Sequence, residues 1–433
     1  MRARYSVAAA VTITVVAAIA LASYVEPGAL STPALRTSVL LLRIFVVLLI
    51  TRYILLLWLG YLHHMENANV DDSEQPTHPP VTVIVPVFNE EQVVLPALHS
   101  LLALDYPEYH ILVVDDGSTD RTRELAESLQ GTYGPVTLRV VSRSNGGKAA
   151  ALNTGIALAT TPYVLCMDGD SRLAPQTLRC GMRHFADRRV GAVAGNVKVV
   201  NRNNVWTRLQ ALEYIEGLNL ARRAQGFLRI VNIIPGPVGI FRRDVLWSVG
   251  GYDNDTFAED ADLTLKILSA GWHVAYEEGA VAWTEAPEFY LDLVRQRYRW
   301  TRGILQALRK RTSLLASPRG RVAVWLSLAS MLFEAVLWPV ISIFGGLLFA
   351  VAALSAGVAS GIFYWVVLLT LLDVAAALYT VVMEEEDLSL VPYAVIYRFM
   401  FVIMIDVAKV FAMVEESANV QMTWGKLARA GRI

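Results

Sequence analysis

Apolar residues gather toward the two ends of the chain and leave its middle mixed. Residues 5–25 carry no charge, and residues 37–61 form a second apolar stretch broken only by Arg43 and Arg52. Each has about the length a helix needs to cross a ~30 Å hydrocarbon core. The first could also be read as a signal peptide ending at Ala20-Leu21-Ala22, but two adjacent stretches predict a membrane hairpin over residues 1–65. Residues 335–372 are again free of charge, too long for one perpendicular helix and interrupted by Pro339, Gly345, Gly346, Gly357 and Gly361. Two spans are therefore predicted, about 336–357 and 361–382. Residues 391–414 are apolar but contain Arg398, Asp406 and Lys409, and either span the membrane or lie along its surface. If four helices span and this last one does not, the basic residues Arg2, Arg4, 309–311, 319–321 and 426–432 all face the cytosol.

The middle of the chain follows a different pattern. After a polar, proline-bearing linker over 66–80, short β-branched runs alternate with helical periodicity. Strands are predicted at 81–88, 111–114, 138–141 and 163–167, and helices at 95–104, 121–129 and 148–159, which is the signature of a parallel α/β sheet. In such sheets ligands bind beyond the carboxyl ends of the strands, so the polar residues ending each run are the candidates for chemistry. The first run ends in Asn89-Glu90-Glu91 and the second in Asp115-Asp116-Gly117-Ser118, which is also a good turn and helix cap. The third ends in Asn145-Gly146-Gly147-Lys148, where glycines ahead of a helix can offer amides to phosphate beside the Lys148 charge. The fourth ends in Asp168-Gly169-Asp170, two carboxylates able to grip one divalent ion, or a solvated turn. Farther on, Glu259-Asp260 precedes an amphipathic helix at 263–268, and a carboxylate there can act as a base or as a cap. Gln296-Arg297-Tyr298-Arg299-Trp300 offers an arginine for phosphate oxygens and a tryptophan as a platform for a pyranose ring, or reads as a basic interfacial helix.

Composition narrows the class. Hydrophobic residues are 55% of the 433 and charged ones 18%, with mean hydropathy +0.42, so a purely soluble chain is disfavoured. The net charge of -1 leaves no basic field for nucleic acid. Cys166 and Cys180 form neither a disulfide framework nor a zinc motif, and read as apolar filler.

The motifs 86–91, 115–120, 168–170, 259–260 and 296–300, in this order between membrane segments, resemble the processive family-2 glycosyltransferases. Cellulose, chitin, hyaluronan and poly-N-acetylglucosamine synthases belong to that family. Residues 147–156, 238–251 and 299–309 look most like the poly-N-acetylglucosamine branch. The resemblance covers about 81–311 and the flanking helices, and implies a GT-A type nucleotide-sugar-binding α/β domain with a mixed, mainly parallel sheet, inserted between transmembrane helices. The implied divisions are an N-terminal hairpin (1–65), a linker (66–80), a cytosolic GT-A domain (81–287), interface helices (288–334), two transmembrane helices (335–383) and an interfacial or membrane helix with a cytosolic tail (384–433). By the same resemblance, Asp115 and Asp116 contact uridine, with Asn89, Glu90 and Lys148 at that end. Asp168 and Asp170 serve ribose, diphosphate and Mg²⁺ or Mn²⁺, and Asp260 is the base. Arg299 binds diphosphate, while Glu259, Gln296, Trp300 and the Gly239 loop face the acceptor. Ala258 stands where the family pattern has Thr, and 420–426 sits where a shortened gate could lie. The implied reaction is inverting transfer from a UDP-sugar, N-acetylglucosamine first, to a growing β-linked polysaccharide at the inner face of a bacterial plasma membrane, coupled to export. Accessory membrane or export subunits are further candidate partners, and nucleic acid is not. Glucose, chitin-type or hyaluronan-type donors stay open, as do a polyprenyl-phosphate sugar transferase and a transporter with a regulatory domain.

Overall fold

The computed structural model describes residues 33–68, 78–311, 322–355, 359–420 and 431. The first apolar stretch at 5–25, most of the linker, the basic residues 319–321 and the candidate gate at 421–426 lie outside the described residues.

Alternation along β1 (Val81–Val87) sends Val81, Val83, Val85 and Val87 into one core and Ile84 into another, so this strand is covered on both faces. Helix α1 spans Pro33–Ala68; α2 (Val94–Leu102) lies on the valine side and α3 (Lys148–Leu158) on the Ile84 side. β2 (Tyr109–Asp115), β4 (Val136–Ser142) and β5 (Tyr163–Cys166) join β1 in parallel, and β3 (Gly131–Tyr133) runs antiparallel at the edge. In this register Val87, Asp115 and Ser142 are neighbours, so the loops after three parallel strands emerge at one level. Beyond β5 the sheet changes character: β8 (Gly239–Arg242) is antiparallel to β5 and to β7 (Val190–Val199), and β9 (His273–Thr284) pairs parallel with β7 and antiparallel with β6 (Ser171–Leu173). The nine-stranded order is β3-β4-β2-β1-β5-β8-β7-β9-β6. The sheet is thus evenly mixed, where the sequence predicted a mainly parallel one. Helices separate the strands of the second half too, but β8 enters between β5 and β7 antiparallel to both, and β6 closes the edge antiparallel to β9.

Helix α4 (205–227) leads from the sheet to the apolar helices, α5 (Glu259–Ser269) packs against β9 and α6 (Tyr290–Arg311), and α6 also reaches α4 through Arg297 and Glu213. Glu259 and Asp260 form the first turn of α5, where the sequence placed them ahead of the helix. Four described helices are long and apolar enough to cross a membrane: Arg43–Asn67, Val322–Leu348, Val366–Met383 and Leu388–Ser417. Helix α7 (322–355) starts well before the predicted residue 336 and passes through both Glu334 and Pro339. Glu334 does not end it because Arg52 pairs with that carboxylate at 2.9 and 3.0 Å. Pro339 does not end it because the π-helical turn Phe333–Leu337 lies just ahead, loosening the turn in which proline cannot donate. Helix α8 covers Ala359–Met383 and α9 covers 394–417. In α9, Arg398 is neutralised by Asp373 of α8, which also accepts from the Tyr53 hydroxyl at 3.1 Å. Arg52 and Arg398, two of the charges inside the apolar stretches, are thus each paired with an acid on another segment.

The sheet and the apolar helices are tied by a buried polar knot. Arg223 of α4 donates to Glu384, just past α8, at 2.9 Å, and Asn196 of β7 donates to the same carboxylate at 2.6 Å. Lys198 reaches the Glu384 carbonyl at 2.9 Å.

Candidate active site

The loops after β1, β2, β4 and β5 border a cavity of about 800 Å³. Its wall includes Glu90, Asp116, Lys148, Asp168, Asp170 and Glu259, and Arg299 enters from α6. Residues from six separate stretches of sequence therefore meet at one hollow beyond the strand ends, where the topology of an open α/β sheet puts ligands.

At its centre is Lys148, the first residue of α3. Its ammonium lies 2.7 Å from Asp168 Oδ1 and 2.9 Å from Glu259 Oε1. Burial disfavours its charge, but the carboxylates of Asp168, Glu259 and Asp260 outweigh that and hold its pKa well above the ordinary lysine range. Burial also works against the Glu259 charge, and Lys148 again wins, so that carboxyl is held below its usual range. Asp168 goes the other way: burial dominates, helped by Asp170, and its pKa is raised. Asp260, next to Glu259, is pushed up to about 6 by burial and by the Glu259 charge. Two adjacent carboxyls are thereby driven in opposite directions, the arrangement by which sites separate a fixed anion from a proton acceptor. Asp260 is not among the cavity-lining residues; it stands behind Glu259, within coulombic range of Lys148 and Asp168.

Asp260 is positioned by a short relay. The Ile234 amide donates to Thr264 Oγ1 at 3.0 Å, and the Thr264 hydroxyl donates to the Asp260 carbonyl at 2.7 Å. That relay fixes the Pro235–Gly236 turn against the site. A Cβ on Gly236 would fall 2.7 Å from Asp168 Oδ2 and 2.8 Å from Lys148 Nζ, so only glycine leaves this carboxylate its space.

Several sequence candidates serve the scaffold. Asp115 accepts from the Ser118 amide and the Ser142 hydroxyl, which holds the turn after β2. Asn89 accepts from the Thr119 amide at 2.8 Å and joins the first two loops. Neither lines the cavity. The Gly146 and Gly147 amides, expected to face phosphate, donate instead to the Asp116 carboxylate, Gly147 at 2.7 Å; a buried carboxylate takes the donors nearest to it. Gly239 opens β8, paired with Cys166 and Ala194, and lies in the sheet away from the cavity. Gln296 is buried and accepts from Arg297. Trp300 lies on another face of α6 from Arg299 and borders a second cavity of about 280 Å³ between α4, α6 and the apolar helices. One face of its indole is already covered by the Arg297 guanidinium, 4.2 Å from the ring centroid, which narrows its use as a platform. Of the cysteines, Cys166 is buried and Cys180 partly so, and neither forms a disulfide.

Residues 253–257, which no motif singled out, also line the large cavity. Asp253, Asp255 and Asp262 come close enough to suggest a cation site, but Lys310 fills it, with its ammonium 2.6, 2.7 and 3.0 Å from the three carboxylates. This knot fastens the loop before Glu259 to α6. A second fastening is steric: a Cβ on Gly303 of α6 would lie 2.5 Å from the Ala258 amide nitrogen. Replacing Gly303 by Ala is expected to push this loop outward and to cost about 1–3 kcal/mol, beyond what alanine gains in a helix. Thermal unfolding of the detergent-solubilised protein measures it, and an unchanged midpoint would show that the contact yields freely.

Residues 82–250 match the family model for Glycosyl transferase family 2. The chain carries a glycosyltransferase family 2 domain. Over 245 residues it is 31% identical to a poly-β-1,6-N-acetyl-D-glucosamine synthase of Staphylococcus aureus (strain COL), covering 56% of this chain and 57% of that one. A synthase of the same name from Staphylococcus epidermidis is 31% identical over 226 residues, covering 52% and 54%. The match thus spans little more than half the length of these relatives. Among solved structures, a mannosyltransferase from Pyrobaculum calidifontis in complex with GDP-Man and Mn²⁺ superposes with TM-score 0.60 at 22% identity, covering 88% of this chain and all of that one. The glycosyltransferase domain therefore has the same general fold as that enzyme, and its large cavity sits within the matched segment apart from the walls contributed by 253–259 and α6.

Proposed function

We propose that the protein transfers N-acetylglucosamine from UDP-N-acetylglucosamine to the end of a growing β-linked polysaccharide, with inversion at the anomeric carbon. The observation that carries this reading is the meeting of Lys148, Asp168, Asp170 and Glu259 at one cavity with Asp260 directly behind it. The donor comes from the relatives, named as poly-β-1,6-N-acetyl-D-glucosamine synthases.

Asp116, Glu90 and Lys148 line the cavity and are suited to the nucleotide, and Arg299 offers a guanidinium to diphosphate oxygens. Asp168 and Asp170 fit a divalent cation: both line the cavity, one residue apart, and Gly236 leaves the Asp168 oxygens their room. Bound there, Mg²⁺ or Mn²⁺ supplies positive charge against the departing diphosphate. Asp260 accepts the proton of the acceptor hydroxyl as that oxygen bonds to C1 and the bond from C1 to the diphosphate oxygen breaks, UDP leaving with the electron pair. Glu259, kept anionic by Lys148, holds the ammonium in place. The second cavity, bordered by Trp300 and opening between apolar helices, is suited to the acceptor chain and to its passage across the bilayer. The four apolar helices support a multi-pass membrane protein, and supply of UDP-sugars requires the glycosyltransferase domain on the cytosolic side.

Purified protein in lipid nanodiscs, given UDP-N-acetylglucosamine with Mg²⁺ or Mn²⁺, is expected to release UDP and to form a polymer cut by a β-1,6-specific hexosaminidase. A single sugar on a polyprenyl phosphate, or polymer from a different donor only, would replace this reading.

A further inference from the structure

Among the described residues, three π-helical turns occur, Tyr214–Asn219 in α4, Phe333–Leu337 in α7 and Tyr397–Val402 in α9. They come from distant parts of the chain, and all three border the second cavity. A π turn inserts one residue and so re-aims the side chains that follow, which is why such turns gather at functional sites. Each of these presents an ionisable group to the cavity: Glu216, Glu334 and Arg398. Glu334 is matched by Arg52 and Arg398 by Asp373. Glu216 differs. It is 7% exposed, and both of its carboxyl oxygens are buried without a hydrogen-bond partner.

Leaving a buried polar group unsatisfied costs about 1–3 kcal/mol, and such groups call for a specific explanation. Here the surroundings point to one. The cavity that holds Glu216 is also bordered by Tyr53, Trp300, Trp338 and Tyr397, flat surfaces with polar edges. Tyr214, two residues before Glu216 in α4, lies 6.5 Å from the Trp300 ring, so this stretch of α4 packs against the helix that also carries Arg299 of the transferase site. Burial, reinforced by Asp373, drives the Glu216 carboxyl well above its usual range, so it offers both an O–H donor and a carbonyl acceptor. The neighbouring ion pairs leave the cavity suited to an uncharged chain.

We infer that Glu216 is a binding contact for the acceptor glycan, hydrogen-bonding a hydroxyl or acetamide of a sugar unit as the chain enters the cavity between the helices. This rests on the transferase reading above. The test is steady-state kinetics of the full chain in nanodiscs, with saturating UDP-N-acetylglucosamine and a short β-1,6-linked N-acetylglucosamine oligomer as acceptor. Glu216→Leu is expected to raise the acceptor KM about tenfold with a smaller change in kcat, and to shorten the polymer formed in a fixed time. Glu216→Gln, which keeps a neutral donor and acceptor, is expected to stay within about threefold of the unchanged protein. Glu216→Ala removes the group without adding apolar bulk and serves if the leucine variant does not fold. An acceptor KM left unchanged by Leu or Ala overturns the assignment, as does a Gln variant as impaired as Leu. If the unchanged protein makes no polymer from any nucleotide sugar, the transferase reading itself falls; if it does and the variants match it, only this contact falls.

Discussion

Asp260→Asn is expected to lower kcat for sugar transfer by roughly 10²–10⁴-fold while leaving UDP-sugar binding close to unchanged, because the substitution removes a proton acceptor and keeps shape and most hydrogen bonding. The pH profile carries the sharper test. Burial and the Glu259 charge push the Asp260 carboxyl up to about 6. A base works only when unprotonated, so below that value kcat falls about tenfold per pH unit, and above it the rate levels off. An ordinary aspartate would put this limb near pH 4 or below. UDP release measured from about pH 5 to pH 8 should show the limb in the unchanged protein and lose it in Asp260→Asn, whose residual rate no longer depends on that proton. A flat profile across this range, or a variant that keeps more than about a tenth of the rate, would remove Asp260 from its assigned place.

Chelation and Asp170→Asn should act together. Treatment with EDTA is expected to stop transfer, and added Mg²⁺ or Mn²⁺ to restore it. Asp170→Asn should cost roughly 10²-fold or more at ordinary cation concentrations, with part of the loss recovered at high cation concentration, because one carboxylate of the pair remains. Asp168 responds differently. Its carboxylate also faces Lys148 at 2.7 Å, so Asp168→Asn releases the ammonium toward Glu259 alone and should impair donor binding as well as the cation requirement. Isothermal titration with UDP separates the two effects. Full activity in EDTA-treated protein would set aside the cation reading for this pair.

The transferase candidates divide by the kind of information that specifies them. Asp168 and Asp170 follow a short apolar run, and their place at a strand end is legible because a local apolar pattern bounded by polar residues predicts both the strand and its exit. The same holds for Lys148 at the start of α3 and for the acidic start of α5. Local pattern could not say which polar groups point outward. The Gly146 and Gly147 amides looked available for phosphate, yet Asp116, some thirty residues earlier, takes them. Local pattern also could not show that Asp115 and Asn89 accept hydrogen bonds that hold turns together. Nor could it separate the three acids of the 253–262 region, whose apparent cation site is filled by Lys310 from a helix far along the chain.

By itself, then, the sequence determined which stretches are apolar enough for a bilayer, where strands and helices alternate as far as residue 167, and that acidic residues cluster where those strands end. Those features are local: hydrophobic period, turn chemistry and charge along a few residues decide them. Tertiary structure alone decided the opposed environments of Glu259 and Asp260, the pairing of Arg52 and Arg398 with acids on other helices, the two separate cavities on either face of α6, and the convergence of three π turns on Glu216. Burial and charge pairing depend on what packs against a residue, and here those neighbours come from segments up to several hundred positions away in the chain.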